Sequence, residues 1–132
     1  MTAIANPAST GHLIRGGVVA LAAASIATVT VATAGHAIGI SLDVDGAPIP
    51  VLGFGTLTAL FSFVGLVLAG VLARTVRHPR RAFVRTTVVL TVLSLIPDVL
   101  VDAAPATRAL LMLTHLVAAA IVIPAVARRL SA

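Results

Sequence analysis

The chain contains no cysteine, lysine, glutamate, tryptophan or tyrosine. The lack of cysteine excludes a disulfide framework, a thiolate metal site and thiol–disulfide chemistry. Charge is scarce as well: charged residues make up 10% of the sequence, against about 25% in soluble domains. So few charges cannot cover a water-facing surface, and a bilayer is the solvent that suits such a composition. Without tryptophan and tyrosine the usual aromatic belt at the membrane interface is missing, which leaves arginine to do most of the anchoring. Phosphate loops, dinucleotide fingerprints, nucleophile elbows and HExxH motifs are absent too. These absences argue against an enzyme, and no cofactor is expected.

What is present is apolar. Hydrophobic residues make up 59% of the 132 positions, and the mean hydropathy is +1.14. That length suits one domain. Set against a ~30 Å hydrocarbon core and a ~1.5 Å rise per residue, the apolar runs predict an all-α, integral membrane, antiparallel four-helix bundle. Helices are expected over residues 13–40, 51–73, 82–101 and 106–127, after a short cytoplasmic tail at residues 1–12. The segment Ser41–Pro50, with two Asp, one Gly and two Pro, reads as a loop. Pro97 and Pro124 fall inside apolar runs, where they are expected to kink helices instead of ending them. A rival reading of the first run is a secretory signal peptide, since Ala32-Thr33-Ala34 resembles a small-x-small cleavage site. The run exceeds the 7–15 residues of a usual signal core, which favours a retained helix.

The formal net charge is +5 and the sequence pI about 11.9. The arginines flank apolar runs with no aromatic residues interleaved, so nucleic acid is not the expected partner. Arg15, Arg74, Arg77, Arg80, Arg81, Arg85, Arg128 and Arg129 all fall on one side of a four-span topology, and Arg108 alone falls on the other. The four aspartates, Asp43, Asp45, Asp98 and Asp102, lie on the Arg108 side. Arginine in short loops stays in the cytoplasm, so both ends are expected inside, in the plasma membrane. Arg74, Arg77, Arg80, Arg81, Arg85, Arg128 and Arg129 are then expected to meet lipid headgroups. Membrane lipids are the expected surroundings; a protein partner or a second copy is a further possibility.

Small and polar residues recur at helical spacing in every run, as helix association in lipid requires. The faces are Ser25, Thr28, Ala32 and His36 in the first; Gly55, Thr58, Ser62, Gly65 and Ala69 in the second; Thr87, Thr91, Ser94, Asp98 and Asp102 in the third; Arg108, Leu111, His115 and Ala119 in the fourth. Gly35 and Gly39 match the small-xxx-small dimerisation pattern at a helix end. Loops this short predict that helices adjacent in sequence are adjacent in space.

An ionisable group inside a spanning helix is a functional hypothesis by default. Asp98 and His115 are such groups, and with His36 and Asp102 they make up a candidate polar cavity on the outer side. Counting residues puts Asp98 and His115 about one turn apart in depth. Direct contact then requires staggered helix ends or a bend at Pro97; otherwise a water or ligand bridges them. Three readings stay open: a structural pair, a polar cavity for a small ligand or a proton, and a metal site using His36, His115 and the aspartates. Imidazole and carboxylate suit Zn or Cu, but no local motif such as HxxxH is present, and no metal is expected. His12 and His78 read as solvated, and the Asp43-x-Asp45 pair as a solvated turn.

The Arg-rich second loop, the segment SLIPDVLVDA around Pro97 and the segment LLMLTHLVAAAIVIPAVARRL around Met112 and His115 resemble a family of small four-helix actinobacterial membrane proteins catalogued as a domain of unknown function. The resemblance covers Leu13 to Leu130. It implies a four-helix membrane protein and nothing about activity. The expected function is therefore a non-enzymatic bundle that binds a partner or a small lipophilic ligand. The alternative is a small transporter or proton-coupled carrier using Asp98 and His115. A lipid-modifying enzyme with His115 as base lacks a nucleophile or second carboxylate at a recognisable spacing.

Overall fold

A computed structural model describes the backbone from Pro7 to Ala132 and the side chains from Thr10 onward; the first six residues of the expected tail lie outside the described residues. Four helices follow one another: α1 (Pro7–Ala37), α2 (Val51–Thr75), α3 (Pro79–Leu100) and α4 (Pro105–Ala127). All four are long and apolar enough to cross a membrane. Their outer faces carry the exposed hydrophobic side chains that lipid requires, such as Phe61 (65% exposed) and Ile26 (68%).

The ends differ from the sequence expectation in instructive ways. Residues 7–12 are helical, not tail, because nothing after Pro7 breaks the pattern, and proline is well suited to a first helical turn. α1 stops at Ala37, short of Ile40, because Gly39 takes a left-handed conformation (φ 95°). Ile40 N–H then donates to Gly35 C=O at 2.9 Å and Gly39 N–H to His36 C=O at 3.1 Å, a Schellman ending. Pro79 and Pro105 start α3 and α4, where a missing N–H costs nothing. Pro97 and Pro124 sit inside α3 and α4, and both helices run on past them.

The Ser41–Pro50 loop contains a small antiparallel hairpin, β1 (Asp43–Val44) paired with β2 (Ala47–Pro48). Asp45 and Gly46 both have positive φ, 51° and 80°. That is the geometry of the tight hairpin turn which Asp-Gly favours. Asp45 N–H donates to Asp102 C=O at 2.8 Å, and Asp102 N–H returns to the Asp45 carboxylate at 3.2 Å. Thr107 Oγ1 donates to Ser41 C=O at 2.6 Å. These bonds lash the two outer loops together.

Packing inside the bundle is uneven. α1 lies against both α2 and α4, and α4 against α3, whereas α2 and α3 touch much less. The thinly packed pair is the one with the shortest connection, Val76–His78. Close approach in lipid depends on small residues. α2 brings Gly55 against α1, where an added Cβ would lie 2.7 Å from Val29 Cγ2. α3 has no glycine at all and presents Val88, Val89 and Val92 to its surroundings.

One apolar cluster closes the end of the bundle near the Arg-rich loop, around Leu13, Ala69, Phe83 and Val126; another closes the opposite end, around Ala32, Leu42, Phe54 and Leu110. Between them Thr28 bonds Thr58 across α1 and α2 at 2.9 Å. Gly35 faces Leu110 of α4, with 2.9 Å between an added Cβ and Leu110 Cδ1. It serves this intramolecular contact, and Gly39 lies past the helix end, so the small-xxx-small pair is not a helix face here.

Candidate functional site

The gap between α2 and α3 is a cleft of about 320 Å³, with α4 as its floor. That volume is at the lower end for sites that hold drug-sized ligands. From Phe54 to Leu68 it follows fifteen residues of α2, about 21 Å end to end at about 1.5 Å rise per step. Leu57, Phe61, Val64 and Leu90 line it and are exposed, so the cleft opens sideways towards the lipid face.

Its interior carries the polar stripes read from the sequence. Ser62 and Gly65 contribute from α2, Thr87, Thr91 and Ser94 from α3, and Thr114 and His115 from α4. Most of these hydroxyls donate to their own helix: Thr87 to Phe83 C=O (2.7 Å), Thr91 to Thr87 C=O (2.7 Å), Ser94 to Thr91 C=O (2.6 Å) and Thr114 to Leu111 C=O (2.7 Å). Ser62 is buried, lines the cleft and makes no hydrogen bond among the described residues. Gly65 has open space where a Cβ would stand.

Asp98 and His115 meet directly. Nδ1 of His115 lies 2.6 Å from Oδ2 of Asp98 and 3.0 Å from the carbonyl of Leu111, one turn back on α4. Asp98 sits two residues before the end of α3 and His115 ten residues into α4. Their contact therefore needs staggered helix ends, by about two turns, and the connection from Val101 to Ala104, extended at both ends, takes up the difference. The carboxylate is enclosed (side chain 10% exposed) while the ring is half-open (37%). Oδ2 has no aligned hydrogen bond among the described residues, so its attraction to the ring is one of proximity.

The other two members of the expected cavity lie elsewhere. His36 is exposed in the last turn of α1. Asp102 is exposed beyond the end of α3, where its backbone holds Asp45. The α3 stripe therefore ends at Asp98. In α4 the deepest face is not that of Leu111, His115 and Ala119 but the neighbouring one of Leu110, Thr114 and Val122. Leu111, His115 and Ala119 look into the cleft instead. Among the described residues no group of three or more His, Asp, Glu or Cys is placed to hold a metal ion.

At the opposite end of the bundle, Arg80 is committed to the protein itself. Its Nε donates to Ala127 C=O (2.9 Å) and its Nη2 to Leu130 C=O (2.8 Å), which supplies the free carbonyls at the end of α4. Arg129 lies against His12, 2.7 Å from Nδ1, so His12 is not simply solvated. Arg74, Arg77, Arg81, Arg85 and Arg128 are exposed around this end.

Residues 8–132 match a family of unknown function, DUF6069. The chain belongs to this family. No curated protein and no solved structure matches it. The DUF6069 match takes in all four helices, so the cleft and the Asp98–His115 pair both lie within the family's domain. Sequence reasoning singled out Asp98 and His115 but not Gly65 as an opening, nor Arg80 as a helix cap. The Asp45-Gly46 dipeptide was a legible hairpin signal inside what reads otherwise as plain loop.

Proposed function

We propose that this DUF6069 protein is a non-enzymatic helix bundle of the plasma membrane, with its Arg-rich end in the cytoplasm, that holds a small lipophilic ligand in the α2–α3–α4 cleft. The observation that carries this reading is the cleft itself: it is long, apolar, open towards lipid and lined inside by a few polar groups. Sites for small molecules have that combination of apolar walls and sparse polar contacts. The asymmetric arginines support the orientation.

Gly65→Leu tests the proposal. The new side chain grows into open space within the cleft, so it should fill the site without straining the bundle. Photo-crosslinking in nanodiscs with an alkyl diazirine should label cleft peptides of the unaltered chain, and Gly65→Leu should cut that labelling at least fivefold. Equal labelling of both proteins would remove the proposal. The Asp98–His115 contact supports a second reading, a proton-coupled carrier; a substrate gradient in proteoliposomes that Asp98→Asn abolishes would favour it over simple binding.

A further inference from the structure

Building on the reading of the cleft as a ligand site, we infer that its occupant bears a neutral hydroxyl: a long-chain alcohol or phenol, with its tail along α2 and its head at His115. The lining is biased towards accepting hydrogen bonds. The protons of Thr87, Thr91, Ser94 and Thr114 are all spent on carbonyls of their own helices, which leaves only oxygen lone pairs for a ligand.

His115 adds a stronger acceptor. A carbonyl oxygen can only accept, so the 3.0 Å contact with Leu111 places the ring proton on Nδ1, beside the Asp98 carboxylate. In the neutral ring Nε2 is then a bare lone pair. It takes no partner among the described residues, and the ring lines the cleft. Asp98 acts as a positioning residue: its carboxylate, 2.6 Å from Nδ1, favours the ring proton on that nitrogen by proximity, without itself lining the site.

A ketone, ester or ether can accept from Ser62 but has no proton for Nε2, so it leaves the histidine lone pair unpaired. A cationic amine could donate, but no aspartate lines the cleft to balance its charge. A neutral hydroxyl donates to Nε2 and leaves that lone pair satisfied.

The test uses three photo-reactive probes of equal chain length in nanodiscs: hexadecanol, its methyl ether and the corresponding methyl ketone, each with a mid-chain diazirine. On the unaltered chain the alcohol should label cleft peptides about tenfold more than either of the others, as loss of one buried hydrogen bond implies. His115→Leu should bring the alcohol down to the ether level and leave ether labelling unchanged. Asp98→Ala should narrow the alcohol-to-ether ratio, which a purely structural role would not move. Equal labelling by all three probes, or preference for the ketone, overturns the hydroxyl assignment while leaving the cleft as a site for tails. Absence of labelling by any probe, or labelling that Gly65→Leu does not reduce, removes the cleft reading and this one with it. The three-probe comparison on the unaltered chain decides the matter even if a variant fails to fold.

Discussion

The Asp98–His115 contact should couple α3 to α4 by about 1–2 kcal/mol, and a double-mutant cycle can measure it. Hydrogen bonds between helices in lipid average about 0.6 kcal/mol, with about 1.7 as the largest observed. Nδ1 lies only 2.6 Å from the carboxylate, and charge attraction at that separation does not require an aligned bond. Both facts place this pair in the upper part of that range. It should stay below the 3–5 kcal/mol lost when a fully enclosed pair is broken, because the ring is 37% exposed and lacks an aligned bond to Oδ2. The four proteins of the cycle are the unaltered chain, Asp98→Ala, His115→Ala and the double variant. Their unfolding would be followed by circular dichroism as SDS displaces a mild detergent. His115→Ala should cost more than Asp98→Ala, since it leaves an enclosed carboxylate without its neighbour, and the double variant should cost less than the sum of the two. Strict additivity, within about 0.3 kcal/mol, would show that the two side chains are merely close, and would refute both the structural coupling and the positioning role given to Asp98.

Gly55→Leu should lower detergent thermal stability clearly, by several degrees, whereas Gly65→Leu should leave it within a degree or two: a Cβ at Gly55 meets the stiff Val29 side chain, and one at Gly65 meets nothing. Arg80→Ala should loosen the last turn of α4, seen as faster hydrogen exchange at residues 127–131, while Arg77→Ala should not, because among the described residues Arg80 is the one side chain that donates to the Ala127 and Leu130 carbonyls. The absence of cysteine makes single-cysteine labelling clean: a cysteine at His78 should be shielded from an impermeant maleimide in intact cells, and one at Ala47 should react. The reverse pattern would invert the proposed orientation. Intact mass should show α1 retained, as expected of a helix whose Ala24, Thr28 and Ala32 are fully buried against its neighbours; a mature chain starting near Gly35 would contradict it.

Much of the candidate site was legible as pattern and little of it as geometry. Thr87, Thr91, Ser94 and Asp98 announce one face of α3 by spacing alone, because a helix brings residues three and four apart onto one side. On α4 the spacing of Leu111, His115 and Ala119 marks the face turned into the cleft, while the contact with Gly35 of α1 runs through the neighbouring Leu110. His36 and Asp102 are exposed at or beyond helix ends, whereas His115 lies ten residues into α4, and counting along single helices does not supply the stagger that decides which of them meet.

Composition and run length alone settled that the chain forms four helices long and apolar enough to cross a bilayer. Each length of chain must satisfy its own backbone in lipid, so the decision is local and can be read one segment at a time. Which helices press together was decided only in three dimensions. α1 has glycines where α2 and α4 can approach, while α2 and α3 stay apart despite the three-residue loop between them, with Phe83, Thr87, Leu90, Thr91 and Ser94 of α3 facing the gap. The cleft is a consequence of that mismatch between two surfaces, and neither surface carries the information by itself.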